Sequence, residues 1–160
     1  MTSKGAFTDE EWERVRRAPL VAGMAITIAD PGGPIEISKE GMATLRAATV
    51  PPSQEELLAA VALDIQAMIQ QRHNPAKSFR PKTSADAGTQ ILDELRAVDA
   101  IVAAKATPEE TEAFRGWLVM TAQAAADAAK EGGFMGFGAE QVSAGEQAML
   151  DQLRGALGQG

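Results

Sequence analysis

Four times in 160 residues the chain spells Ser/Thr-x-x-Glu ahead of an apolar run: Thr8 to Glu11, Ser53 to Glu56, Thr107 to Glu110 and Ser143 to Glu146. In this capping box the hydroxyl and the carboxylate each satisfy a backbone N–H that the first turn of a helix leaves without a partner. Pro108 directly follows Thr107, at the first helical position, where a missing N–H costs nothing. Four such starts leave little room for any architecture other than a set of helices.

The apolar spacing after these starts follows a helical period. Leu57, Leu58, Val61, Ile65, Met68 and Ile69 form one stripe, Ile91, Leu95, Val98 and Val102 a second, and Met149, Leu150, Leu153 and Leu157 a third. From Leu20 to Ala29 the chain is apolar nearly all round, which predicts a central helix. Ala122 to Ala129 is almost all alanine, so a neighbouring helix can approach it closely. Aromatics make up only 4% of the chain and tyrosine is absent, so alanine, leucine, methionine and isoleucine must fill the core, with Trp12 and Trp117 as its large anchors. Breaks rich in proline or glycine fall at "ADPGGP", "TVPPS", "HNPAKSFRPKTSADAG" and "KEGGFMGFG". The short "PIEIS" does not require a sheet. The expectation is one all-α domain over residues 1–160, a compact helical bundle.

The two ends share a plan: a small-residue helix, a double glycine, a loop ending in Ile37-Ser38 or Val142-Ser143, then a second helix. Gly32-Gly33 answers Gly132-Gly133. Two pseudo-repeated helix–loop–helix units follow, about 8–48 and 108–157, joined by connecting helices in 53–105. The matching positions are Ala29-Asp30, Gly32-Gly33, Ile37, Ser38, Glu40 and Leu45 in the first unit, and Ala129-Lys130, Gly132-Gly133, Val142, Ser143, Glu146 and Leu150 in the second. This pattern resembles the tellurite-resistance TerB-like family. The resemblance implies an all-helical fold, a place in bacterial stress-response systems and acidic divalent-metal sites. Lys130 stands where the first unit has Asp30.

Three groups of residues are candidates for function. Phe134, Met135 and Phe137 lie in a glycine-rich stretch that follows a helix and carries no basic residue after Gly132, so it lacks the logic of a phosphate loop. It reads either as a helix-terminating joint or as an apolar patch for a protein partner. Asp30, Glu36 and Glu40 in the first unit could converge on Ca²⁺ or Mg²⁺, and Asp127, Glu131, Glu140 and Glu146 could do so in the second, or these residues could form a solvated acidic face. Arg72, Lys77, Arg80 and Lys82 surround His73, the only histidine, in a basic island that suits an anion or reads as a solvated linker.

The formal net charge of -7 repels phosphate backbones and anionic lipid, which argues against a nucleic-acid partner. Four acidic residues in "FTDEEWE" precede the basic and apolar segment Arg16 to Asp30, unlike a secretory leader, and no apolar run reaches the roughly 20 residues that span a bilayer. The absence of cysteine suits a reducing cytoplasm. No motif singles out a nucleophile or a pair of acid–base carboxylates. The sequence therefore points to a cytoplasmic, non-enzymatic interaction or scaffold module with a protein partner, self-association remaining open. A divalent-metal-binding domain without further cofactors is the alternative.

Overall fold

A computed structural model describes residues 2–81, 86–130 and 142–159, with side chains described up to residue 128 in the second segment. Among these residues, after a 3₁₀ turn at Lys4–Ala6, come six helices: α1 (Asp9–Ala29), α2 (Pro34–Thr49), α3 (Glu56–Gln70), α4 (Ala87–Lys105), α5 (Pro108–Lys130) and α6 (Ala144–Ala156). Among the described residues there is no strand, and the chain is an all-α helical bundle.

Helix α1 is the hub. It packs against α2, α4 and α5, and α5 in turn packs against α2. Its apolar second half buries Leu20, Val21, Ala22, Ala25 and Ile26, as the all-round apolar sequence requires. The helix runs unbroken through Pro19, which is itself buried and forfeits the one hydrogen bond its missing N–H would have made. Ala122, Ala125 and Ala126 of α5 are fully buried, and Phe114, Trp117 and Leu118 complete that face. The three predicted stripes enter the same core through Leu57, Leu58, Val61 and Ile65, through Ile91, Leu95, Val98 and Val102, and through Met149, Leu150, Leu153 and Leu157, but the first stops short of its expected end, where Ile69 is exposed.

Three of the four expected caps form. Thr8 with Glu11 and Ser143 with Glu146 make both reciprocal bonds, and Thr107 Oγ1 accepts from the Glu110 amide at 3.1 Å. Ser53 does not cap. Helix α3 begins only at Glu56, so no first-turn amide lies where the Ser53 hydroxyl could bind it, and that hydroxyl is buried without a hydrogen-bond partner. Helix α2 also departs from expectation. It starts at Pro34, directly after Gly33, so Ile37 and Ser38 lie inside its first turns rather than at the end of a loop. Its cap is the Gly33 amide donating to the Glu36 carboxylate. Proline at the first helical position explains the early start. Ser38 and Ser143, aligned by sequence, thus play different parts.

Candidate functional site

Helix α2 is built inside out. Its core-facing positions are Glu40, Thr44 and Ala48, all buried, whereas Ile35 and Met42 are 71% and 63% exposed and Leu45 is exposed as well. Ile35, Met42 and Leu45 stand seven and three residues apart, which places them on one outward stripe. The inward face works because its polar atoms are satisfied. Thr27 of α1 donates its hydroxyl to the Glu40 carboxylate, and the Thr44 hydroxyl donates to the Glu40 carbonyl at 2.8 Å. Trp117 Nε1 donates to the Ala47 carbonyl at 2.9 Å, and Gln66 Nε2 donates to the Thr49 carbonyl at 2.9 Å.

Met42 stands on a ridge between two grooves. On one side a groove of about 490 Å³ runs between α1 and α2, lined by Leu20, Met24, Met42 and Leu45 over Gly23 and Gly41. On the other, a smaller one of about 290 Å³ is lined by Met42 and Ala43 with Lys39, Arg46 and Ala128. Among the described residues neither Lys39 nor Arg46 makes an ion pair. The ridge is therefore apolar with a positive margin, on a chain whose formal charge is -7.

At the inner edge of α2, Glu40 lies within electrostatic reach of Asp30 and Glu36 from its own unit and of Glu146 from the other. Burial pushes the Glu40 carboxyl above its ordinary range, the Thr27 hydrogen bond opposes this, and the charges of Asp30 and Glu36 reinforce it. Burial likewise raises the Glu146 carboxyl, against the Ser143 amide and with the help of Glu40 and Asp30. The start of α6 abuts the end of α1, since a β-carbon at Gly145 would lie 3.0 Å from the Ala29 carbonyl oxygen. Asp127 instead accepts from Gln123 on the exposed side of α5. Among the described residues no three Asp, Glu, His or Cys side chains are grouped so as to hold a metal ion. Glu131 and Glu140 lie outside the described residues, as do Phe134, Met135, Phe137 and Lys82.

The basic island is only partly gathered. Arg72, His73 and Lys77 line a cavity of about 690 Å³ together with Arg16 and Glu13 of α1, and Arg80, though exposed, is not part of its lining. Arg16 was invisible as a partner of this island, because it lies on a helix more than fifty residues earlier and nothing local marks it. The α2 stripe did leave a signal: apolar residues at 35, 42 and 45 alternate with Glu40 and Thr44 at the positions a core would claim.

Fold and surfaces together define an all-α bundle, with six helices among the described residues, an apolar, positively edged ridge and a separate basic cavity. No family model, curated protein or solved structure was found to match this chain. Among the described residues no helix is long and apolar enough to cross a membrane.

Proposed function

We propose that this chain is a non-enzymatic protein-interaction or scaffold module, and that its partner presents an acidic amphipathic helix to the outer face of α2. The observation that carries this reading is the inversion of α2, which buries Glu40 and Thr44 while turning Ile35 and Met42 to solvent. A contiguous apolar surface of this kind usually marks an interface. Grooves on both sides of Met42 suit the side chains of a helix laid along it, as in other helix-in-groove recognition. Lys39 and Arg46 select for carboxylates along one edge of the visitor, and the local positive charge on an acidic body steers its orientation.

A second copy of the chain fits this surface less well. An isologous contact pairs each surface patch with itself, so the cation edge would meet either itself or the neutral side of the groove formed by Ser38 and Gly41. The resemblance of the helix–loop–helix motifs to TerB-like sequences supports a place in a bacterial stress-response system.

Site-specific photo-cross-linking tests the reading. A photoreactive residue at Met42, introduced in the native cells, is expected to capture a partner protein, whereas the same residue at exposed Leu63 of α3 is expected not to capture it. The Lys39→Glu/Arg46→Glu variant should lose the adduct. No adduct at position 42, an adduct indifferent to the charge reversal, or an adduct consisting only of the chain with itself would each refute the proposal.

A further inference from the structure

We infer that the cavity between α1, the end of α3 and the loop after it binds the phosphate-type dianion of a small organic ligand. This site is separate from the α2 ridge: of its lining, only Asn74 also borders the groove between α1 and α2. Its volume of about 690 Å³ falls in the range of small-molecule sites.

The lining is cationic in a chain that is acidic overall. Arg16, Arg72 and Lys77 face Glu13 as the one carboxylate of the lining, with His73 beside them. Among the described residues Arg72 and Lys77 have no ion-pair partner. Arg16 is incompletely matched. Its nearest carboxylate oxygen, Asp64 Oδ2, is 3.9 Å away and already accepts from Trp12 Nε1 at 2.6 Å and Lys4 Nζ at 3.2 Å. Arg16 Nε is buried without a hydrogen-bond partner. Cationic side chains from α1, from the end of α3 and from the loop thus line one cavity, and an acceptor with several oxygens suits them, guanidinium groups being its preferred ligands.

The backbone supplies an independent argument. Helix α3 closes with the Arg72 amide donating to the Ile69 carbonyl at 2.9 Å and the His73 amide to the Met68 carbonyl at 2.8 Å. These two bonds require a left-handed residue at position 72, a place where glycine is the usual occupant. Helix α6 ends in the same pair of bonds, Gly158 to Gly155 and Gln159 to Arg154, and there the left-handed residue is Gly158 at φ 68°. At the end of α3 it is Arg72, at φ 60°, the one non-glycine residue with positive φ among those described. Such local strain is typical of functional positions, and here the strained residue is also a cavity cation. The loop wall is held in place: Arg17 donates to Ser78 Oγ at 2.8 Å and stacks its guanidinium 5.4 Å from the Phe79 ring centroid. Met68 and Pro75 complete the lining with apolar surface, which suits the organic stem of a phosphate ester better than a free ion.

The single histidine makes the test direct, because the one imidazole signal in an NMR spectrum of the chain comes from this cavity. At fixed pH, phenyl phosphate is expected to shift that signal saturably at millimolar concentration. Inorganic phosphate should do so more weakly, and benzoate or sodium chloride at matched ionic strength should not. Arg72→Gly should fold, since glycine suits the backbone there, yet bind phenyl phosphate about tenfold or more weakly. Lys77→Gln, an exposed change, should show the same loss. The inference is overturned if no saturable shift occurs, if benzoate matches phenyl phosphate, or if both variants bind as the unaltered protein does.

Discussion

Gly23 of α1 and Thr44 of α2 meet so closely that a β-carbon at position 23 would lie 2.2 Å from the threonine hydroxyl oxygen. Helices α1 and α2 therefore cross where one of them has no side chain. Gly23→Ala would normally favour a helix, but here it forces the two apart and should destabilise the protein by about 2 kcal/mol or more. Urea titration of the two proteins measures this; an unchanged midpoint would show that the crossing can yield.

Glu94 accepts from Arg14 Nη2 at 2.8 Å and from Arg17 Nη2 at 3.0 Å, joining α4 to α1. Its side chain is mostly buried, and so is the guanidinium side chain of its partner Arg17. Glu94→Ala leaves two guanidinium groups with their counter-charge removed and should cost roughly 3 kcal/mol. Glu94→Gln retains the packing and should cost less, as thermal unfolding can establish.

Carboxylates of opposite character shape the acid profile. Burial opposes ionisation of Glu94, but the hydrogen bonds and charges of Arg14 and Arg17 outweigh it and hold the group below the ordinary value of 4.5. Asp64 behaves alike, with Trp12 and Lys4 overcoming its burial. These groups carry fewer protons folded than unfolded, so their contribution is complete above the unfolded value and is lost as pH falls through the folded one. Glu40 and Glu146 run the other way: they are raised by burial, bind more protons when folded, and weaken the fold as pH rises past 4.5. Stability should accordingly peak on the mildly acidic side of neutrality and fall on further acidification. Denaturation followed from pH 7 downwards would reveal a steady decline instead if the buried pair were inert.

Glu40→Gln isolates the second half of that profile. The amide oxygen can still accept from Thr27, and no charge is buried, so the variant should be more stable than the unaltered protein at pH 7. The advantage should vanish below about pH 4.5, where the native glutamate is itself neutral. Loss of stability at neutral pH would mean that the ionised carboxylate has a partner that outweighs its burial.

Arg72→Gly and Gly158→Ala form a matched pair at the two left-handed helix ends. The first should stabilise the protein and the second destabilise it, each by about 1 kcal/mol, because the same backbone shape suits glycine and burdens a β-carbon. Equal and opposite shifts in the unfolding midpoint are the expected result.

The helices were legible in the sequence because their signals are local. Thr8 with Glu11, and Ser143 with Glu146, need only three residues to announce a start, and the stripes through Leu57 and Ile91 need only a turn or two. Ser53 misled because the same spelling precedes a helix that begins later, and the position of a start depends on packing beyond the motif. Asp30, Glu36 and Glu40 are near neighbours in the chain and so stand out together in the sequence, but the burial of Glu40, and its bond from Thr27, arise only when α1 and α2 pack. The basic cavity was half visible. Arg72 and Lys77 stand out in their loop, whereas Arg16 joins them only through folding, and the left-handed turn at Arg72 has no glycine to signal it.

Helix α2 is tied down by Trp117, Gln66 and Thr27, so its outer ridge exists before any visitor arrives. A partner helix docked as proposed would meet a preformed surface, and the entropy lost on association would fall mostly on the incoming segment. Stiffening that segment beforehand, for instance with a hydrocarbon staple, should tighten the complex, while stiffening α2 further should change nothing.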